Sequence, residues 1–333
     1  MQRRAFLSSI AAGMAVGSAC HTSPAPQSAS NSAALVISDD TEVRTGGVRM
    51  IDVGGGHRVW TKRLGRSPIK VLLLHGGPGL DHSYFECFED FLPPNGIEMY
   101  YYDQLDSGNS DKPGDPKLWT IERFRDEVET VRRELGLEQF YLYGHSWGGM
   151  LAIEYALAYQ QHLHGLIISD MTAGIQAYEK HAAELRAALP PDVIAKLDQY
   201  EKAGKYDAPE YEQVMIGQVY SRYLCRLQAW PEPVERALRN MNQKIYNYMQ
   251  GPNEFVITGR LKNWERWADL PKIHVPTLVM GARYDTMSAD DLRKMAASML
   301  HAEAWISEKG SHLAMYDDQA AYFRKLVPFL RGA

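Results

Sequence analysis

The segment Gly144-His-Ser146-Trp-Gly148-Gly149 sets a serine between glycines in a G-x-S-x-G pattern, after the apolar run Gln139-Phe-Tyr-Leu-Tyr143 and before the helical run Met150 to Ala158. A serine on so sharp a strand-to-helix turn occupies a strained backbone, where side chains at the flanking positions would collide, hence the glycines. Its hydroxyl is exposed at a helix N-terminus, whose dipole favours developing negative charge. Those conditions suit a nucleophile, so Ser146 is the expected attacking group, provided an imidazole takes its proton and a carboxylate orients the imidazole. A second glycine-rich bend, His75-Gly-Gly-Pro-Gly79, directly follows the apolar run Val71 to Leu74. A tetrahedral oxyanion needs two backbone N–H groups aimed at one point, and glycines let the backbone approach closely. The amides of Gly77 and of Trp147, the residue after the nucleophile, are the expected donors. Read alone, the two segments are a helix-capping serine and a strand-ending turn; the strand before Ser146 and the helix after it favour chemistry.

Those side chains must be held by regular elements, and the apolar runs alternate between strand-like and helix-like segments. Val48 to Val53 and Arg58 to Leu64, separated by Gly54-Gly-Gly56, predict an N-terminal hairpin. Buried-type strands are expected at Ile69 to Leu74, Ile97 to Tyr102, Gln139 to Tyr143, Leu163 to Ser169, Pro276 to Met280 and Ala302 to Ile306. Between them, Ile121, Phe124, Val128, Val131 and Leu135 recur at helical spacing. The order is that of an α/β protein with a mostly parallel sheet flanked by helices. From about Met171 to Trp267 no strand run occurs, and helical segments are broken by Pro190-Pro191, Gly204, Pro209, Pro231 and Pro233. This stretch reads as an inserted all-helical cap.

The elements select the base and the acid. After Ser146 the chain offers His162, His164, His181, His274, His301 and His312. Of these, His312 in Lys309-Gly-Ser-His312-Leu sits in a loop just past the last strand, where the C-terminal edge of the sheet brings it beside the nucleophile. His162 and His164 fall at the end of the nucleophile's own helix and point away. Asp285 follows the penultimate strand after a glycine turn, in Val279-Met-Gly281-Ala-Arg-Tyr-Asp285. Asp290 and Asp291 read as helix N-terminal charges. Serine, acid and histidine in that chain order are the triad of the α/β-hydrolase fold.

Taken together, His75-Gly-Gly-Pro-Gly79, Tyr102-Asp-Gln104 with Ser107-Gly-Asn-Ser-Asp-Lys-Pro113, Gly144-His-Ser-Trp-Gly-Gly149, Gly251-Pro-Asn-Glu254-Phe, Tyr284-Asp285 and Gly310-Ser-His312 resemble the proline iminopeptidase family of α/β-hydrolases. That family includes tricorn-interacting aminopeptidases and L-amino-acid amide hydrolases. The resemblance covers Val48 to Leu330 and implies metal-free, cofactor-free acyl-enzyme cleavage of an amide next to a free N-terminal amino acid, small or cyclic. It also implies that Glu254, in the cap, binds the substrate ammonium. In aminopeptidase relatives a second glutamate directly follows the catalytic aspartate, and here that position is Thr286. A neutral hydroxyl replaces a charge-assisted contact, which suits an amino-acid amide at least as well as a peptide. Asp106 stands where many relatives have glycine, and no mechanistic meaning attaches to it.

The chain has 333 residues, 45% hydrophobic and 23% charged, the composition of a globular protein rather than a disordered one. Its 36 basic and 41 acidic residues give a net charge of −5 with no like-charge block, so nucleic acid is not an expected partner. Three cysteines, Cys20, Cys87 and Cys225, lack CxxC spacing and supply no zinc cluster; one bridge, Cys87 to Cys225, is the most they could form between core and cap. Arg3-Arg4 followed by the weakly apolar stretch Ala5 to Ala19 resembles a twin-arginine export signal, too short to span a bilayer. Gly17-Ser-Ala-Cys20 loosely resembles a lipoprotein box, so membrane attachment would run through a lipidated Cys20. The expected organisation is a signal over 1–19, a flexible tether over 20–41, core over 42–170, cap over 171–268 and core again over 269–333. The expected location is periplasmic or envelope-associated. A carboxylester or lactone hydrolase is the competing reading, because one triad serves any acyl transfer. Ser146 disfavours the dehalogenase and epoxide hydrolase chemistries, which need a carboxylate nucleophile, and an intact triad disfavours a non-catalytic binding protein.

Overall fold

Alternate residues of the central strands feed two separate cores on opposite faces of one sheet, the period-two pattern that such apolar runs impose. The computed structural model describes residues 44–332; the proposed signal, the tether and Cys20 lie outside the described residues. The strands are β1 (Val48–Asp52), β2 (Arg58–Leu64), β3 (Lys70–Leu74), β4 (Glu98–Asp103), β5 (Phe140–His145), β6 (Leu163–Ser169), β7 (Thr277–Ala282) and β8 (Ala302–Ser307). They form one sheet in the order β1-β2-β4-β3-β5-β6-β7-β8. β1, β2 and β4 pair antiparallel, and every later pairing is parallel. The N-terminal hairpin therefore attaches to β4 rather than to β3, its successor in the chain.

One face of the sheet presents Leu72, Leu74, Leu142, Leu166 and Ile168 to helices α1 (Ile121–Leu135) and α2 (Trp147–Tyr159). The other presents Val71, Leu73, Tyr101, Tyr143, Ile167 and Met280 to a 3₁₀ segment at His82–Asp90 and to the C-terminal helix. Thr120 caps α1 by accepting from the Arg123 amide, and Gly136 ends it in the left-handed conformation. α2 is buried on nearly every side, so the nucleophile's helix is anchored along its whole length.

The chain between β6 and β7 is helical: α3 (Ile175–Ala187), α4 (Pro191–Lys202), α5 (Pro209–Val214), α6 (Ser221–Tyr223), α7 (Glu232–Asn240) and α8 (Gln243–Met249). A π-helical turn at Met215–Tyr220 joins α5 to α6. Isolated bridges Gly174↔Glu265 and Asn253↔Val256 are the extended pairings there among the described residues. This segment has a small core of its own, with Leu189, Val193, Leu197, Tyr211, Met215 and Val219. Its neck is drawn shut where the two ends meet: the Ile175 amide donates to the Trp264 carbonyl at 3.0 Å and the Arg266 amide to the Ala173 carbonyl at 2.7 Å. After β7 come α9 (Ala289–Ala297), capped by Ser288 with Asp290 and Asp291 in its first turn, then α10 (Ala314–Asp317) and α11 (Gln319–Leu330).

One expectation needs correction, and one open question is answered. His164 lies on β6, exposed and edge-on to the Tyr141 ring, rather than at the end of α2; the turn Gln160–His162 ends the helix earlier. Cys87 and Cys225 are both buried free thiols and form no bridge.

Candidate active site

Four neighbouring strands deliver the site at their C-terminal ends: Ser146 follows β5, Asp170 follows β6, Asp285 follows β7, and the His312 loop follows β8. Ser146 has φ 56° and ψ −125°, in the left-handed half of backbone space that a non-glycine residue occupies only under strain. The glycines around it are dictated by contact. A Cβ at Gly144 would lie 2.1 Å from the Gly148 carbonyl oxygen, and one at Gly148 would lie 2.1 Å from that of Leu74. The turn is tight enough to press α2 against β3, which leaves Ser146 only 8% exposed.

His312 and Asp285 are joined by a hydrogen bond from Nδ1 to Oδ1 at 2.7 Å, both fully buried. Burial would push the Asp285 carboxyl up, but the His312 imidazole and its hydrogen bond outweigh it and hold Asp285 below the usual carboxylate range. Burial likewise disfavours imidazolium at His312, and the Asp285 charge more than offsets this, so His312 is raised. The His312 loop is pinned to the C-terminal end of α6: its amide donates to the Tyr223 carbonyl at 3.1 Å, and that of Leu313 to the Leu224 carbonyl at 2.9 Å.

The oxyanion segments are tied together from behind. Gly76 donates its amide to the Tyr84 hydroxyl at 2.7 Å, so it is already engaged, whereas Gly77 has a φ of 110° that requires glycine. Trp147 is the first residue of α2, so no carbonyl a turn earlier can take its N–H. Gln104 joins the two segments, accepting from the Trp147 indole at 2.8 Å while its own amide group donates to the His75 carbonyl at 3.0 Å. His145, buried between them, is lowered to about 3 by burial first and by His312 second, so it is a neutral imidazole. Its Nε2 bonds the His312 carbonyl at 2.8 Å and its Nδ1 the Tyr84 hydroxyl at 3.2 Å. Sequence reasoning missed this link; the signal available was a histidine beside the nucleophile.

Ser146, His312 and Gly77 open into a cavity of about 470 Å³ whose other walls come from the helical insertion, among them Tyr211, Met215, Trp230, Tyr246 and Glu254. Glu254 is half-buried. Tyr178 donates to its Oε2 at 2.7 Å and Tyr246 to its Oε1 at 2.6 Å, and it makes no ion pair among the described residues. A carboxylate on two hydroxyls, without a protein cation, can receive a cation from a ligand. Thr286 is placed differently from the expectation that it faces an amine: it is fully buried, and its hydroxyl donates to Asp285 Oδ1 at 3.2 Å. Among the described residues, the group of acidic, histidine and cysteine side chains that converges closely enough to hold a metal is Asp170, Asp285 and His312, with donor atoms within 4.8 Å of one another. Two members of that group, His312 and Asp285, are already hydrogen-bonded to each other.

The chain matches the alpha/beta hydrolase fold family over residues 70–319. It is 44% identical over 280 residues to a proline iminopeptidase of Flavobacterium johnsoniae, covering 83% of this chain and 94% of that one. The identity is also 44% over 282 residues to a proline iminopeptidase of Elizabethkingia meningoseptica, covering 83% and 95%. The crystal structure of a proline iminopeptidase from Mycobacterium smegmatis superposes with a TM-score of 0.79 at 29% identity, over 86% of this chain and 98% of that one.

Proposed function

Because the chain belongs to the proline iminopeptidase family of α/β-hydrolases, we infer that it is a serine hydrolase releasing a free N-terminal amino acid, proline foremost, from small peptides or amino-acid amides. The observation that carries this reading is Glu254, a carboxylate without a protein cation among the described residues, on the wall of the same cavity as Ser146 and His312. An ester or lactone needs no ammonium partner, so this placement favours an aminoacyl substrate over the competing reading.

In the proposed mechanism Glu254 holds the ammonium and so fixes the adjacent carbonyl over Ser146. His312 takes the Ser146 proton as the oxygen attacks, and Asp285 stabilises the imidazolium that forms. The amides of Gly77 and Trp147 hold the oxyanion. The C–N bond then breaks, His312 gives its proton to the departing amine, and the aminoacyl group stays as an ester on Ser146. Water, losing a proton to His312, attacks that ester; the amino acid leaves and Ser146 is restored. The test compares prolyl, alanyl and leucyl arylamides with the free amino-acid amides and with a short uncharged ester. Faster turnover of the ester than of every aminoacyl substrate would overturn the assignment.

We further propose export across a bacterial inner membrane to the periplasm or envelope, supported by Arg3-Arg4 and the weakly apolar stretch after them. Arg3→Lys with Arg4→Lys should abolish export, and unchanged periplasmic or envelope activity would refute the twin-arginine route. Mass spectrometry of the mature N-terminus separates a diacylated Cys20 from simple cleavage.

A further inference from the structure

Asp170 has no part in the mechanism above, yet its position calls for one. It directly follows β6, the strand between the one that delivers Ser146 and the one that delivers Asp285, and it is completely buried. Its backbone is held at φ 55°, with its amide donating to the Met280 carbonyl of β7 at 2.9 Å. Oδ2 of Asp170 accepts from the Ser169 hydroxyl at 2.5 Å. Oδ1 of Asp170 and Oδ2 of Asp285 are both buried and both lack a hydrogen-bond partner. The carboxyl groups of Asp170 and Asp285 and the His312 ring each place a polar atom within 4.8 Å of the other two.

Two carboxylates at that separation, away from water, cannot both stay ionised. Among the described residues, the other groups facing Asp170 offer no cation to relieve it. His145 Nε2 stands 3.7 Å from Asp170 Oδ2, but His145 is neutral and that nitrogen bonds the His312 carbonyl. The hydroxyls of Tyr322 and Tyr143 reach the site through Ser169, Tyr84 lies behind His145, and Asp317 adds negative charge. A single proton on Asp170 provides for both orphan oxygens at once. We propose that Asp170 is a positioning residue of the triad, a neutral carboxylic acid whose Oδ1–H donates to Oδ2 of Asp285. Asp285 would then be held on both oxygens, by His312 and Thr286 on one side and by Asp170 on the other, so it cannot rotate away from the imidazole. The directions of the two groups agree: Asp170 is pushed well up, by burial first and Asp285 next, while Asp285 is held down. A carboxylic acid kept neutral so that it can donate is a known way to fix charge in an active site.

This inference rests on the triad reading of the previous subsection, and two variants plus one measurement on the unsubstituted enzyme test it separately. Asp170→Asn keeps a donor, carries no charge and tolerates positive φ; Asp170→Gly removes the donor and also tolerates positive φ. The amide variant should keep kcat within about threefold on a prolyl arylamide, and glycine should lower kcat about ten- to a hundredfold with KM within about twofold. The acid limb of the kcat/KM profile, which reports His312, should not move in Asp170→Asn, since a proton-bearing group is replaced by an equally neutral one. A limb displaced downward by about one unit or more would mean that Asp170 was ionised, and would overturn the proposal. Equal losses in both variants, or none in either, would overturn it too. Infrared spectra of the unsubstituted enzyme at neutral pH should contain a carboxylic-acid C=O band that Asp170→Asn removes; its absence from the unsubstituted enzyme refutes the protonated state whatever becomes of the variants or of the triad.

Discussion

Replacing Glu254 with glutamine should separate recognition of the substrate's charge from every other role of that side chain. Tyr178 and Tyr246 hold both oxygens of the carboxylate, and no cation of the protein neutralises it among the described residues. A unit charge brought to about 4 Å would gain about 4 kcal/mol at an effective dielectric of about 20. Glu254 is only half-buried, so screening trims this towards the roughly 1.5 to 3 kcal/mol typical of hydrogen bonds to charged groups. At about 1.4 kcal/mol per factor of ten, Glu254→Gln should lower kcat/KM on a prolyl arylamide by about tenfold to a hundredfold. The assay runs wild type and variant on that arylamide and on its N-acetyl counterpart, which has the same ring and leaving group but no charge. The wild type should be slow on the acetylated compound, and the substitution should change that rate little. The two perturbations then form a cycle whose coupling term is the ammonium contact itself. Equal losses on the charged and acetylated substrates would refute the reasoning and leave Glu254 as a brace between α3 and α8.

Ser146→Ala should fold normally, since alanine meets the same φ, and should lose all but the roughly 10³ to 10⁴-fold rate over water that binding and an oxyanion hole provide; a fluorophosphonate should label the wild type and not the variant. Activity should rise with pH through a limb above the ordinary imidazole value of 6.5, because only neutral His312 accepts a proton and Asp285 raises it; a limb below that value would contradict the pairing. Asp285→Asn should move the limb down and cut kcat about 10⁴-fold. Gly148→Ala should lower the thermal midpoint as well as activity, because its Cβ would meet the Leu74 carbonyl; a variant as stable as wild type would mean that the elbow can open without cost.

What the sequence disclosed follows the range of the forces involved. Helix α1 and strands β2 and β6 end where periodicity and caps put them, because those signals lie within a few residues. The elbow at Ser146 was legible for the same reason: Gly144 answers to a clash only four residues away, at Gly148, although Gly148 itself answers to the distant Leu74 carbonyl. The partners of Glu254 were not, since Tyr178 lies 76 residues before it and only the folded insertion brings them together. Asp170 was overlooked although it directly follows a strand of the right type; its meaning depends on β6 lying between β5 and β7, which no local pattern reveals. Thr286 looked like a gap in amine recognition because a position after the aspartate says nothing about which way the side chain turns.

The closed neck between Ala173 and Arg266 has an evolutionary consequence. Strands β6 and β7 are parallel hydrogen-bonded neighbours, with Leu166 opposite Thr277 and Ser169 opposite Met280, so the excursion leaves the sheet at the C-terminal end of β6 and returns to the start of β7 at the other end. The bridge of Gly174 to Glu265 and the two hydrogen bonds beside it close that excursion at its root. A segment closed in this way can be lengthened, shortened or exchanged for another without altering the register of the strands that carry the reacting groups. Substitutions beyond the neck that keep the Tyr223 and Leu224 carbonyls on the His312 loop can therefore retune which molecule is admitted while the bond-breaking apparatus stays constant, so specificity and reactivity are inherited as largely separable traits.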